Sequence, residues 1–151
     1  MGRVSLGKLV VEMNNNIFPN SSNDNIFTGP YSIKDADVPW TDVVQEDFYV
    51  AVYRDKFPVS EGHLLFIPKY NTLVALGFAF DQAVRYGKFM VSQETWDAFN
   101  VGLNAGEAAG QTIMWPHIHL IPRRRGDVYN PVGGVRNIFP GKGDYRDPIS
   151  R

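Results

Sequence analysis

The chain has 151 residues, 44% apolar and 13% aromatic, a composition that supports a packed core. One domain of that size buries about 68–70% of the surface its unfolded chain exposes, and a second full domain does not fit. Fifteen Lys and Arg against sixteen Asp and Glu leave a formal charge of -1, which removes the broad electrostatic attraction of a general nucleic-acid or anionic-membrane binder. The absence of cysteine excludes disulfide scaffolds, Cys-ligated zinc, iron–sulfur clusters and thiol catalysis. Histidine chemistry must draw on His63, His117 and His119.

The first twelve residues lack an apolar core followed by a small-residue cleavage site, and no run approaches the ~18 apolar residues of a membrane span. The expectation is a soluble cytoplasmic protein. Residues 4–12 read as a short strand, and the Asn- and Ser-rich stretch from Asn14 to Asn25 as a loop or mobile arm. Ile26 to Trp40 shows no clean period. Phe48–Tyr53 and His63–Ile67 are β-rich runs, the second ended by Pro68, and Phe57–Gly62 between them carries the Pro and Gly of a tight connection. They are expected to pair as antiparallel neighbours. Apolar residues recurring at three- and four-residue spacing predict a helix from Leu73 to about Gln93, with Gly77 and Gly87 weakening it. Ala98–Asn104 returns to strand character. Ala105–Gly110 is small and flexible, Gln111–Ile121 reads as a strand that Pro116 places at an edge or breaks, and the tail from Pro122 is expected to wrap the surface irregularly.

Alternate side chains on a strand share a face, so Trp115, His117, His119 and Ile121 point one way while Pro116, Ile118, Leu120 and Pro122 point the other. The apolar set forms the core face and two imidazoles line the opposite one. With an unperturbed pKa of ~6.5, one imidazole can act as nucleophile while the next positions or protonates a leaving group. The same spacing also suits two metal ligands, or two ordinary strand histidines. The preceding segment, Asn104 to Thr112, places Gly and Ala where backbone N–H groups can approach an anion, followed by an amide and a hydroxyl. An ordinary hairpin connection would look similar. No Gly-Lys-Ser/Thr closes the loop, so it is not a P-loop.

Residues Phe99 to Thr112, continuing through His117-Ile118-His119-Leu120-Ile121-Pro122-Arg123, strongly resemble the histidine triad (HIT) superfamily of nucleotide hydrolases and transferases. Asp55 to Lys69 is similar to that family's nucleoside-binding hairpin, at the expected distance upstream. The resemblance implies an α+β fold, an antiparallel sheet of about five strands with helical cover, usually paired as a homodimer. It implies one domain over residues 1–151, with core motifs at 48–127, an N-terminal extension at 1–40 and a C-terminal tail at 128–151. Carried over by position, His117 matches the nucleophile that attacks an α-phosphorus and forms a nucleotidyl-histidine, and His119 matches the histidine near the phosphate and leaving group. His63 matches an extra active-site histidine and Asp55 the group that binds ribose hydroxyls. Asn104, Gln111 and Thr112 match phosphate and bridging-oxygen contacts, with Gln111 counted as catalytic, and Gly110 belongs to the same loop. The implied function is hydrolysis at the α-phosphate of dinucleoside polyphosphates or nucleoside phosphoramidates. Nucleotidyl transfer to phosphate or a sugar phosphate, and non-catalytic nucleotide binding, are the alternatives. No cofactor, metal, nucleic-acid partner or membrane contact is called for.

The family pattern has three alternate histidines, and the first is Trp115 here. In similar proteins the main-chain carbonyl of that residue orients the nucleophile, a role any side chain permits. Trp115 itself is expected either to contact the nucleotide or to fill a pocket on the sheet face. Arg123-Arg124-Arg125 reads as a solvated face sooner than a polyphosphate site. Gly141-Lys142-Gly143 only superficially resembles a phosphate turn. Asp81 and Glu94 read as helix-surface charges, and Trp40 and Trp96 as packing residues.

Overall fold

The structure is a computed structural model that describes residues 29–146. The expected strand at 4–12 and the loop at 14–25 lie outside the described residues. Five strands, β1 (Val43–Glu46), β2 (Val50–Arg54), β3 (Leu64–Pro68), β4 (Ala98–Leu103) and β5 (Ile118–Arg123), form one antiparallel sheet in the order β1-β2-β3-β5-β4. Among the described residues the one α-helix, α1 (Leu73–Ser92), links β3 to β4. The fold is therefore the expected α+β arrangement of a five-stranded antiparallel sheet with helical cover. Among the described residues no helix is long and apolar enough to cross a membrane.

Helix α1 starts where the Thr72 hydroxyl accepts a hydrogen bond from the Ala75 N–H at 3.1 Å. Its buried stripe, Ala75, Ala79, Ala83 and Gly87, recurs every four residues, and these small residues bring the helix close to the sheet. Leu64 and Phe66 of β3 and Ile118 and Leu120 of β5 face the helix, together with Val50, Val52 and Trp96. Leu65 and Ile67 point to the other face, where Trp115 and the segment carrying Ile33, Ala36, Val38 and Trp40 cover them. Strand β3 is thus buried on both sides. The second face is only partly covered, and its open part holds the histidines.

The expected antiparallel pairing of the Phe48–Tyr53 and His63–Ile67 runs is present, as Val50↔Pro68 through Arg54↔Leu64. Two elements differ from the sequence reading. Strand β1 shows no alternation because all four of its residues are exposed at the sheet edge. The strand expected over Gln111–Ile121 begins only at Ile118 and runs on through Pro122 to Arg123. Pro116 has no N–H to give a ladder, and the Trp115 carbonyl is occupied by the His117 ring. The described part of the tail includes a 3-10 turn, Gly134–Ile138, that packs on β4.

Candidate active site

A cleft of about 840 Å³ opens on the partly covered face. Its lining includes Asp55, His63, Asn104, Gly110, Thr112, His117 and His119, which brings together seven residues that the sequence pointed to. Trp40, Phe57, Leu65 and Gly102 also line it. The β2–β3 hairpin supplies Asp55 and His63, the β4–β5 connection supplies Asn104 to His117, and β5 supplies His119.

His117 sits immediately before β5 and is buried. Its Nδ1 lies 2.8 Å from the Trp115 carbonyl oxygen. A carbonyl only accepts, so Nδ1 carries the proton and neutral His117 keeps its lone pair on Nε2. Burial pushes its pKa below the usual 6.5, against the opposing effects of the Trp115 carbonyl and Asp55. The His119 ring meets His117 edge-on, with centroids 5.0 Å apart, and Trp40 stands on His117 with centroids 5.2 Å apart. The His119 pKa falls to about 4, chiefly through burial and then through the charge His117 and His63 would carry. Burial lowers His63 as well, with Asp55 opposing.

The hairpin is braced from within. Asp55 Oδ1 accepts from the Phe57 N–H at 2.8 Å, while Oδ2 stands 3.5 Å from His63 Nδ1 and 4.0 Å from His119 Nδ1. Ser60 donates to the Pro122 carbonyl at 2.8 Å and so ties the hairpin to β5. Among the described residues, Asp55, His63 and His119 offer metal-ligating atoms within 4.8 Å of one another. His63 Nε2 and His119 Nδ1, however, are only 3.0 Å apart, closer than the roughly 3.4 Å between two nitrogens on a tetrahedral zinc ion. That spacing fits a shared hydrogen better than an ion.

Two assignments change. Trp115 does not reach the cleft: the residue is 5% exposed and its Nε1–H donates to the Pro68 carbonyl at 2.8 Å, in the apolar cluster with Leu65 and Ile67. Covered by that cluster, the Trp115 indole does not touch the cleft, so its contribution to the site is its carbonyl. Gln111 is also buried and absent from the cleft lining. Its Oε1 accepts from the Gly106 N–H at 2.7 Å and its Nε2 donates to the Ile113 carbonyl at 3.0 Å, so its amide shapes the loop. The loop is built differently from an open anion nest. The N–H groups of Gly106, Ala109, Gly110 and Gln111 are all bonded inside it, and Gly106 and Gly110 take the left-handed φ values of 89° and 85° that its turns demand.

The remaining motifs are structural. Arg123 binds Asp127 bidentately at 2.7 and 2.8 Å and reaches Asn100 at 2.7 Å, Arg124 donates to the Glu61 carbonyl, and Arg125 lies 3.9 Å from Asp97. None lines the histidine cleft. The Gly143 carbonyl accepts from Arg136 within the tail, Asp81 pairs with Arg85 on the helix surface, and Trp96 is core. Sequence reasoning missed the cleft positions of Trp40 and Gly102. Gly102 lies directly across the ladder from His119, a register that becomes visible only once β4 and β5 are aligned.

Comparison with known proteins agrees with this geometry. The family model described as HIT domain matches residues 38–126. Adenylylsulfatase HINT3 of Arabidopsis thaliana is 36% identical over 89 residues, covering 54% of this chain and 45% of that protein. Adenosine 5'-monophosphoramidase HNT1 of Saccharomyces cerevisiae is 35% identical over 83 residues, covering 52% of each. This chain therefore spans about half the length of these two relatives. A zinc-bound histidine triad family protein from Mycobacterium smegmatis superposes with a TM-score of 0.55 at 27% identity, covering 62% of this chain and 73% of that one. With the family model spanning more than half of the chain, and the two histidines, the hairpin and the glycine-rich loop arranged around one cleft, this protein belongs to the histidine triad family.

Proposed function

We propose that this protein is a nucleotide hydrolase acting at the α-phosphate of an adenylyl-type substrate, either a dinucleoside polyphosphate or a nucleoside phosphoramidate. The carrying observation is the Trp115 carbonyl on His117 Nδ1, which leaves Nε2 as the nucleophilic nitrogen of a residue lining the cleft. In this reading Nε2 attacks the α-phosphorus and the bond to the leaving group breaks, the leaving atom taking the electron pair. The nucleotidyl-histidine is cationic with its proton on Nδ1, and the carbonyl stabilises it by accepting that N–H. Water then attacks phosphorus and gives up a proton to the departed leaving group or to solvent, the P–N bond returns its electron pair to Nε2, and nucleoside monophosphate leaves with His117 neutral again. Asp55 is assigned to the ribose hydroxyls, with Asn104 and Thr112 toward phosphate oxygens. Relatives named for adenylyl sulfate and adenosine 5'-monophosphoramidate chemistry support the adenylyl class. The proposed assembly is a homodimer, which sedimentation equilibrium checks.

The test is incubation with diadenosine polyphosphates, adenosine 5'-phosphoramidate and adenylyl sulfate, followed by AMP analysis and intact-mass spectrometry after an acid-free quench. AMP release with an adenylyl adduct on His117 is expected. No AMP from any substrate, with an active control alongside, overturns the hydrolase reading. Product formed only when phosphate or a sugar phosphate is added assigns nucleotidyl transfer instead, and nucleotide affinity without adduct or product assigns a binding module.

A further inference from the structure

A neutral imidazole carries one N–H and one lone pair, so each hydrogen bond it makes fixes the other nitrogen. Two groups face His63 Nδ1: the main-chain N–H of Val59 donates to it at 3.4 Å, which needs a lone pair there, while Asp55 Oδ2 stands 3.5 Å away and would favour a proton. The Val59 contact, the one with hydrogen-bond geometry, decides between them. The His63 proton is then on Nε2, 3.0 Å from His119 Nδ1, and His119 must accept. Its own proton is left on Nε2, the nitrogen free to face the cleft that His119 lines. His63 is 3% exposed in its side chain, so water does not compete for this chain of bonds.

Asp55 makes the arrangement consequential. Its Oδ2 lies 4.0 Å from His119 Nδ1, and a carboxylate only accepts. Without His63, Asp55 would draw the His119 proton onto Nδ1. Nε2 would then offer a lone pair to an anionic phosphate, a repulsive contact in place of an attractive one.

We propose that His63 is a positioning residue that locks the tautomer of His119, so that His119 presents Nε2–H to the phosphate or leaving atom. This rests on the hydrolase reading above for its catalytic consequence, but not for its structural one. The donor matters most where negative charge grows largest on the leaving atom, so its loss falls hardest on basic leaving groups.

The test compares His63→Leu, which fills the apolar volume without a donor, with His63→Gln, whose side-chain amide can still donate to His119 Nδ1. Nitrogen-15 NMR of the imidazole rings reads the tautomer directly. Wild type and His63→Gln are expected to show His119 protonated on Nε2, and His63→Leu a shift toward Nδ1–H. In turnover, His63→Leu is expected to lose about tenfold or more in kcat on adenosine 5'-phosphoramidate, and far less on the p-nitrophenyl ester of AMP, with His63→Gln restoring most of the loss. A wild-type His63 protonated on Nδ1, an unchanged His119 tautomer in a folded His63→Leu variant, or equal losses on both substrates overturns the proposal. Wild-type inactivity on both substrates fails the hydrolase reading alone, since the NMR result still decides the tautomer.

Discussion

Gly102 of β4 faces His119 of β5 across the sheet, and the missing side chain leaves the cleft open beside the imidazole. A Cβ built at Gly102 meets nothing within 4 Å, and its φ is not in the left-handed region. The glycine is therefore there for space and not for backbone conformation. Gly102→Val is expected to fold normally, gaining β-propensity, while weakening AMP binding by about tenfold, an effect worth ~1.4 kcal/mol. Titration calorimetry beside a thermal melt checks this. Unchanged affinity in the folded variant would mean that nucleotide binds elsewhere.

Trp115 separates what a side chain does from what its backbone does. Its ring fills the cluster under the β3 end, and its carbonyl orients His117. Trp115→Phe keeps the carbonyl and most of the apolar volume but leaves the buried Pro68 carbonyl without its donor, at a cost of about 1–3 kcal/mol. Stability measured by urea denaturation is expected to fall while kcat stays within about threefold, because the bond to His117 survives. Trp115→His, which restores three alternate histidines, is expected to lose stability without gaining rate. A rate increase in Trp115→His would show that the first imidazole contributes chemistry the carbonyl does not.

Burial lowers the pKa of His63 and His117, and that of His119 to about 4. In the unfolded chain these groups take up protons near pH 6.5. Between that value and the lower folded pKa values, the unfolded state binds more protons than the folded one. Stability from the neutral imidazoles is therefore complete above about pH 6.5 and is lost as pH falls toward 4. Activity carries the same sign, since His117 must keep its lone pair. The acid limb of kcat/KM is expected to lie below 6.5, and a limb at or above 6.5 would contradict the lowered His117 pKa.

The site was more legible in the sequence than its surroundings. The parity of His117 and His119 against Ile118 and Leu120 survives even though β5 starts after His117, because Pro116 ends the pairing without reversing the alternation. Helix α1 was legible because its buried positions recur at one spacing. Strand β1 was not, since an edge strand with all four residues exposed has no apolar period to read. Trp40 was read as packing alone, yet it packs on the proposed nucleophile, a contact between residues distant in the chain that no local pattern encodes. Gln111 and Trp115 show the opposite case, where motif position suggested the cleft and burial directs the side chain into the scaffold.

Helix α1 offers an internally controlled test of how tightly it seats on the sheet. Gly77 and Gly87 both lie in its interior, so Gly→Ala at either gains about 1 kcal/mol of helix propensity. Around Gly77 a new Cβ meets nothing within 4 Å, whereas at Gly87 it falls 2.7–2.8 Å from three atoms of the Phe99 ring. A ring carried by β4 and packed against the core cannot yield as a flexible chain end would, and overpacking of this kind costs about 1–3 kcal/mol. Gly77→Ala is expected to stabilise by about 0.5–1 kcal/mol and Gly87→Ala to destabilise by up to about 2 kcal/mol. Because the propensity gain cancels between the two, their difference in urea denaturation isolates the Gly87–Phe99 contact. Equal stabilisation by both would show that Phe99 moves aside freely and that glycine is not what sets the distance between helix and sheet.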